Sequence, residues 1–486
     1  MKQLTRRQVL RYGGLAGVSA ILAACQPKVV EVTRVVEKPV EVTKVVQQVV
    51  KETVVIQGTP QVVEKEVTRV IQKVPTPRKE EVTLSVPNIW GGTRVPLMED
   101  MFKRFSEVHP GIKVENVLVP GGEMLQKLQT AIAAGTPPDV PMINQAWVPM
   151  LAKRKGLMPL DDFMSRDGIR QDEYYDYAIA ASKWEGKVFT LPNCSAAWAL
   201  YFYNTKHYQE VGLDPQKPPE TWDELIEHAK KLTVKKEGKI ERLGYQFYNG
   251  LPGHDDWRQA LVSNNGKYFS DDGRKIAFNT PEGLEALKFL IRAMQEIYGS
   301  VDLYNDWTAV QGSQDISNPF IAETSSSRHG GVWEIFYIMG GKPDLNYLIG
   351  LMPRSPKGQQ RVPASGSWSY GIPVGVKHPD ASWELVEWLC HEPTASCWFM
   401  QQQGRPSPLK ACNEDKYYYD TFPKTWPTVV KMLQSVTFIP ITPADAEIGT
   451  KVSQALEEAV RGVKTPEAAL EGAAKECQAL LDEAWK

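Results

Sequence analysis

The chain of 486 residues lacks the motifs of the common catalytic, metal and nucleotide sites. Its seven histidines form no HExxH or similarly spaced set, and no GxSxG, Walker loop or GxGxxG occurs. The sequence therefore predicts no metal and no other cofactor. The formal net charge of −2 gives no basic excess for binding phosphates, which argues against nucleic acid as the main partner.

Cysteines are few, and long apolar runs are rare. Five cysteines follow Cys25, an odd number without a CxxC motif: Cys194, Cys390, Cys397, Cys412 and Cys477. Cys397 and Cys412 are candidates for a disulfide, but buried free thiols are the favoured interpretation. Beyond the N-terminal apolar stretch, no run reaches the length of a transmembrane helix.

The N-terminus has the order of an export signal. Arg6 and Arg7 stand in a basic leader, and an apolar stretch over 15–24 runs directly into Leu-Ala-Ala-Cys25. This resembles a lipobox behind a twin-arginine-like signal, so residues 1–25 are predicted to be a signal peptide whose acylated Cys25 anchors an extracytoplasmic protein to the membrane. An ordinary N-terminal helix is the alternative. The twin-arginine route stays open, because Val9 stands where such signals usually have Phe.

Residues 26–80 contain no aromatic residue and repeat one phrase at 31–36, 41–46 and 66–71. Because such a segment buries too little apolar surface to fold alone, the sequence predicts a disordered stalk rich in Val, Lys and Glu. Prolines interrupt any long ladder or helix: Pro39, Pro60, Pro75 and Pro77. A β or coiled-coil stem is the alternative, because Val favours strands.

Strand and helix patterns alternate from residue 81 onward. An alternating strand over 81–86 precedes an amphipathic helix over 95–108, and a second strand begins near Ile112. A second helix near 120–129 leads to a third strand over 140–144. This order predicts a parallel α/β sheet, and about 400 residues suffice for two domains.

Four phrases in this region carry a family resemblance: RFSEVHPGIKVENV, EMLQKLQTAIAAGTPPDV, GLMPLDDF and GLDPQKPPETWDELIEHAKKLT. With the segments 278–287, 372–385 and 404–406, they resemble in order the extracellular solute-binding proteins of carbohydrate ABC importers, the family of maltose-binding protein. One departure lies at 320–333, where the family's usual Gly-Lys and methionine are missing before Trp333. That departure affects the expected local loop and ligand class rather than the fold.

The resemblance implies a two-lobed periplasmic-binding-protein fold of the α/β class, with a hinge and a ligand cleft between the lobes. Lobe 1 is expected at 81–193 and 352–403, and lobe 2 at 194–351 and 404–486. Crossings between the lobes are expected near residues 192–197, 350–353 and 404–406.

Tryptophan is the residue type most relevant to a sugar cleft, since sugar rings pack C–H faces on aromatic rings while their hydroxyls need planar polar partners. Trp90 follows the first strand, at the edge where open α/β sheets bind ligands. Asn144 and Trp147 follow the third strand. These three residues are candidate ligand contacts, and the alternative for each tryptophan is a core position.

Four further candidates come from the family resemblance. Trp333 and Glu334 match the cleft-facing end of the second lobe, and Trp368 lies in a loop that matches one touching ligand in relatives. Arg405 stands at an expected crossing.

Other residues are given structural interpretations. Trp222 follows a Thr cap at a helix start, and Trp383, Trp388 and Trp398 are expected in the core. Asp255 and Asp256 are a pair of carboxylates of the kind that glycosidases use as acid and base. Because adjacent residues do not face each other across a substrate, a surface turn is predicted instead.

The sequence therefore predicts a lipid-anchored, monomeric binding protein that performs no reaction. It captures a carbohydrate, expected to be an oligosaccharide, and presents it to ABC transporter permease subunits. Two alternatives stay open. One is a binding protein for a polyamine, metal or phosphoester, and the other is a surface glycan-degrading enzyme.

Overall fold

The computed structural model describes residues 45–56, 59–70, 81–195, 197–248, 250–311 and 316–486. The predicted leader, with Arg6, Arg7 and the lipidation residue Cys25, lies outside the described residues. The chain divides into two compact units, Met1–Pro77 and Arg78–Lys486.

The described part of the first unit consists of two strands. Val45–Ile56 pairs antiparallel with Thr59–Val70. Within the predicted stalk, the described residues 45–56 and 59–70 are therefore paired strands, the conformation that the β-stem alternative names. The reason lies in the sequence, because these segments are rich in Val and Thr and their only proline, Pro60, stands at the start of a strand.

The second unit contains short strands and many helices. The strands are Val82–Asn88, Ile112–Leu118, Met142–Asn144, Lys183–Trp184, Lys187–Val188, Thr190–Pro192, Ala199–Asn204, Val234–Lys236, Lys239–Arg242, Ser327–Gly331, Tyr347–Leu351, Val362–Ala364, Trp368–Gly371 and Val436–Phe438. The α-helices are Val95–Val108, Gly121–Ala133, Val148–Lys153, Asp161–Asp167, Asp176–Ala180, Thr205–Glu210, Trp222–Leu232, His254–Ser263, Pro281–Ala293, Val301–Thr308, Glu334–Gly341, Pro379–Cys390, Pro393–Gln401, Lys416–Thr421, Trp426–Gln434, Asp445–Val460 and Pro466–Ala484.

The first strands confirm part of the predicted parallel sheet. Val82–Asn88 pairs in parallel with Ile112–Leu118, and helix Val95–Val108 connects them. The third predicted strand behaves differently, because Met142–Asn144 pairs antiparallel with Trp368–Gly371. The expectation of an all-parallel sheet was wrong here, since a strand from much later in the chain supplies the partner.

Two large apolar cores organise the second unit. The N-terminal core takes its residues from 82–194 and 370–412, and the larger core takes most of its residues from 197–352 and 418–481. Val362 and Ala364, expected in lobe 1, pack in the larger core because their strand pairs with Val436–Phe438. Leu409 and Cys412, expected in lobe 2, pack in the N-terminal core.

A disulfide joins Cys397 and Cys412, so the favoured interpretation of these two as free thiols was wrong. Cys412 is buried in the N-terminal core, and Cys397 is partly buried and packs against that core. Cys194, Cys390 and Cys477 are buried and free, as expected.

The structural interpretations of the helix tryptophans are largely confirmed. Thr221 caps helix Trp222–Leu232, and Trp222, Trp383 and Trp388 are buried. Trp398 is only half-buried, and the guanidinium of Arg104 lies 3.9 Å from its ring centroid. Among the helices of the described residues, none combines the length and apolar character needed to cross a membrane.

Candidate functional site

Trp90 lies where strand Val82–Asn88 ends and a short 3-10 turn begins. Its backbone N–H donates to the side-chain oxygen of Asn88 at 3.0 Å, which fixes the turn. The indole is 3% exposed and stacks on Phe399, with ring centroids 5.2 Å apart and planes 18° apart. The strand end thus holds one aromatic face in a fixed orientation.

Arg405 lies beside two of the predicted tryptophans. Its guanidinium carbon is 5.9 Å from the Trp90 ring centroid and 5.8 Å from that of Trp333. These distances allow cation–π attraction to both rings. The residue is 3% exposed, and within the described part of the chain its Nε has no hydrogen-bond partner.

Arg94 lies in the same group, although no sequence pattern predicted it there. Its Nε donates to Gln403 at 3.1 Å and its Nη1 donates to the Tyr337 hydroxyl at 2.9 Å. Its guanidinium also lies 5.8 Å from the Trp90 centroid. Burial, followed by effects that include the nearby charge of Arg405, lowers the pKa of Arg94. We call Trp90, Arg94, Trp333, Tyr337 and Arg405 the arginine–aromatic cluster.

Trp198 extends this cluster into a stack of rings. Its indole lies parallel to the His329 imidazole, with centroids 5.4 Å apart and an 8° angle, and 5.4 Å from Trp333. Tyr248 packs against the same indole at 4.9 Å. No sequence pattern predicted Trp198, Tyr248 or His329 in the site, although Trp198 directly follows an expected crossing.

Asp256 supports the stack, so the prediction of a surface turn at 255–256 was wrong. It lies in the first turn of helix His254–Ser263 and is 5% exposed. Its carboxylate accepts from the backbone N–H of Tyr248 at 3.1 Å and of Gly253 at 3.2 Å, and it contacts His329 Nδ1 at 2.7 Å. The neighbouring Asp255 instead pairs with Arg258 at 2.9 Å. The two carboxylates therefore have separate structural partners.

Glu334 begins the helix that follows Trp333, and its carboxylate points into the protein. It is 1% exposed, lies 3.3 Å from Arg328 Nη2 and accepts from Asn318 at 2.8 Å. Burial raises the pKa of Glu334, against the opposing charge of Arg328. These contacts fix the start of helix Glu334–Gly341 and hence the position of Trp333.

Trp147 and Trp368 form a second aromatic pair. Their rings meet edge to face with centroids 5.8 Å apart, and both side chains are half-buried. Asn144 lies opposite Trp368 in the sheet, and its side chain accepts from the backbone N–H of Ala146 at 3.0 Å. Asn144 therefore caps the short turn that carries Trp147.

Cys194 connects the two aromatic groups. Its backbone N–H donates to the carbonyl of Trp368 at 3.1 Å. Burial raises the pKa of its thiol, and the positive charges of Arg405 and Arg94 oppose that increase. The structure thus brings Trp90, Trp333 and Arg405 into one cluster, while Trp147, Trp368 and Asn144 form a second group.

Donors without acceptors are the main chemical feature of the arginine–aromatic cluster. In this cluster, Arg94 Nη2 and Arg405 Nε are buried without a hydrogen-bond partner among the described residues, and so is Nε2 of His329 in the adjoining ring stack. Buried polar groups are nearly always satisfied in folded proteins. The same residues include no group of three His, Cys, Asp or Glu able to hold a metal ion. This arrangement suits hydrogen bonding to a polar molecule that also packs on aromatic rings.

Comparison with known proteins identifies the class. Residues 91–390 match the bacterial extracellular solute-binding protein family, and the chain belongs to that family. A Brucella abortus protein named as a binding protein is 26% identical over 406 residues, covering 79% of this chain and 90% of that protein. The sn-glycerol-3-phosphate-binding periplasmic protein of Salmonella paratyphi A is 24% identical over 411 residues, covering 79% and 89%.

Solved structures give the fold. The mannotriose complex of the protein CpMnBP1 has a TM-score of 0.69 and 25% identity, covering 82% of this chain and 100% of that one. Maltose-bound MalE3 of T. maritima has a TM-score of 0.69 and 20% identity, covering 82% and 100%. The predicted two-lobed α/β binding-protein fold and the family resemblance are both confirmed.

Proposed function

We propose that this protein binds a carbohydrate between its two lobes and delivers it to the permease subunits of an ABC transporter. The observation that carries the proposal is the arginine–aromatic cluster, where the rings of Trp90 and Trp333 flank the guanidinium of Arg405, whose Nε has no acceptor among the described residues. Aromatic faces and planar donors together match the two surfaces of a sugar ring. The mannotriose complex supports the same ligand class.

The arginine–aromatic cluster contains residues from both proposed lobes, so its contacts can link lobe closure to ligand binding. Trp90 packs in the N-terminal core, whereas Trp333 packs against the larger core. The hydrogen bond from Arg94 to Tyr337 and the contact of Arg405 with Trp333 join these two sides. We place the lobe boundaries where the cores change, near 193, 365 and 412. Ligand held between the lobes would favour the closed form, which the transporter recognises.

The seven predicted contacts then divide by role. Trp90, Trp333 and Arg405 contact the sugar, together with Arg94, and Trp147 and Trp368 extend the surface for further rings. Asn144 and Glu334 position the tryptophans beside them, through the cap at Ala146 and the contact with Arg328. Because the carboxylates of Asp255 and Asp256 have separate structural partners, binding without catalysis is the role we propose.

Export and anchoring complete the proposal. The leader with Arg6 and Arg7 directs secretion, and acylated Cys25 holds the monomer at the membrane, with residues 26–80 between the anchor and the binding unit. Mass spectrometry of the mature protein tests this part, since an N-terminal peptide that starts at a diacylated or triacylated Cys25 is expected. A mature N-terminus elsewhere would remove the anchor from the proposal.

Tryptophan fluorescence tests ligand binding. The full chain in detergent is titrated with mono- and oligosaccharides, polyamines and phosphoesters, beside Trp333→Ala and the control Trp485→Ala. Trp485 stacks on Trp184 at 5.1 Å, outside the cluster, so its loss should leave affinity unchanged. We expect saturable quenching by one sugar class. Trp333→Ala should lower the affinity for that sugar about 10- to 100-fold. Binding of polyamines alone would contradict the proposal, as would release of a cleaved glycan.

A further inference from the structure

Two positive charges in the arginine–aromatic cluster form no ion pair with a carboxylate in the part of the chain that the structure describes. Among the described residues, no salt bridge includes Arg94 or Arg405, and the side-chain acceptors of Arg94 are the neutral Gln403 and Tyr337. This differs from Arg328 in the same region, which lies 3.3 Å from Glu334. Buried charges are normally paired, because removing an ion from water is costly.

Both guanidiniums are buried and close enough to influence each other. Arg94 is 7% exposed and Arg405 is 3% exposed. Their like charges repel, and this repulsion contributes to the lowered pKa of Arg94. The acids around the cluster have other contacts, since Glu334 lies beside Arg328 and Asp256 accepts from two backbone N–H groups. The charge of Glu334 also acts on Arg94, but its carboxylate is held by Arg328 and Asn318, so among the described residues neither guanidinium has a carboxylate in salt-bridge contact.

Aromatic rings offset this charge only in part. Arg94 lies over Trp90 and Tyr337, and Arg405 lies over Trp90 and Trp333. Cation–π attraction is weaker than an ion pair and leaves the in-plane N–H donors unused. Arg94 Nη2 and Arg405 Nε remain as such donors. A guanidinium edge matches the oxygens of a carboxylate or phosphate group.

Building on the proposed function, we propose that the ligand is an acidic sugar whose anionic group binds Arg94 and Arg405. A uronic acid and a sugar phosphate present the same chemistry here, because each combines a negatively charged group with a polyol ring. The indoles of Trp90 and Trp333 pack on the sugar ring, while the guanidinium edges of Arg94 and Arg405 bind the anionic group. The anionic group supplies the direct ionic contact that, among the described residues, neither guanidinium has.

The experiment compares matched acidic and neutral ligands on the full chain in detergent. The uronate arm pairs oligogalacturonides with galacto-oligosaccharides, and the phosphate arm pairs glucose 6-phosphate with glucose and sn-glycerol 3-phosphate with glycerol. We expect one acidic member to bind at least about 10-fold more tightly than its neutral counterpart, and added salt to weaken it. The responding arm identifies the source of the anionic group.

Variants locate the preference. Arg94→Gln and Arg405→Gln should each reduce the acidic preference about 10-fold or more, with a smaller effect on the neutral ligand. Arg104→Gln is the matched control, because Arg104 also lies over a tryptophan but outside the cluster. Thermal unfolding checks that each variant folds. The salt dependence of binding to the unmodified chain tests the ionic contact independently of any variant.

Three results would separate the two proposals. Equal or tighter binding of neutral sugars would overturn the acidic ligand and keep the carbohydrate. Binding of glycerol phosphate without any sugar would keep the anionic group but overturn the carbohydrate. If the folded protein bound none of the acidic or neutral ligands, both proposals would be overturned.

Discussion

Arg94 donates a hydrogen bond from Nη1 to the hydroxyl of Tyr337 at 2.9 Å, across 243 positions of sequence. Arg94 follows strand Val82–Asn88, whereas Tyr337 lies in helix Glu334–Gly341. One short contact thus connects elements at opposite sides of the arginine–aromatic cluster.

Removing this contact should weaken closure. In Tyr337→Phe the buried Arg94 Nη1 loses its acceptor, which should cost about 1–3 kcal/mol in ligand affinity or stability. Ligand titration and urea unfolding measure the two effects. Tyr419→Phe is the control, because Tyr419 is exposed. Equal behaviour of both variants would show that the bond contributes nothing.

Substitution of Gly404, the residue before Arg405, should reduce both stability and ligand affinity. Gly404 has φ +61°, and a Cβ there would lie 2.9 Å from Ile335 and Phe422. Gly462 has φ +73° with no atom within 4 Å of its Cβ position. Gly404→Ala should therefore destabilise the protein more than Gly462→Ala, by about 1–3 kcal/mol, and should also weaken ligand binding by displacing Arg405.

Urea unfolding of the two glycine variants gives the comparison directly. Both substitutions share the strain of a positive φ, so their difference isolates the contact with Ile335 and Phe422. Similar losses in both would mean that the segment moves to accommodate the methyl group.

Asp256 should matter more than its neighbour. In Asp256→Asn the side chain keeps one acceptor oxygen and turns an NH₂ group toward a backbone N–H donor, at a cost of about 1–3 kcal/mol. Asp255→Asn should cost less than about 1 kcal/mol, because its contact with Arg258 is partly exposed. Unfolding free energies of both variants check this order. A reversed order would support the surface turn expected from the sequence.

Local signals in the sequence account for what was predicted correctly. Helix Val95–Val108 has the predicted bounds, because its apolar stripe and Pro96 near its start are signals within the segment itself. The capping box of Thr221 and Glu224 likewise lies within a few residues of Trp222.

The missed site residues depend on distant partners. Arg94 bonds Gln403 across 309 positions, and His329 contacts Asp256 across 73. Nothing near Arg94 in the sequence distinguishes it from a surface arginine. The family resemblance supplied Trp333 and Arg405, whereas Trp198 and His329 required the folded arrangement.

The disulfide should stabilise the segment that carries Arg405. Cys397 and Cys412 are separated by 15 positions, and both Gln403 and Arg405 lie between them. A loop of this size predicts a loss of about 3 kcal/mol in Cys397→Ala/Cys412→Ala. Calorimetry with and without a reducing agent measures it, and the double variant itself should be insensitive to the reducing agent. An unchanged melting temperature after verified reduction would contradict the prediction.

Asp445 should make stability depend on pH. Burial raises its pKa from 3.8 to about 6, although the side chain accepts from the Thr442 backbone N–H at 3.2 Å. Because the folded pKa exceeds the unfolded one, the native state binds more protons between these values, so this contribution to stability declines as pH rises toward 6.

Asp445→Asn keeps the acceptor oxygen and removes the charge. Its stability relative to the unmodified protein should therefore increase between about pH 4 and about pH 7, by roughly 1–2 kcal/mol after allowing for partial solvent access. Urea unfolding at both pH values measures the difference, with Asp482→Asn as the control at an exposed carboxylate. If the Asp445→Asn difference stayed constant across this range, the charge of Asp445 would carry no penalty in the folded state.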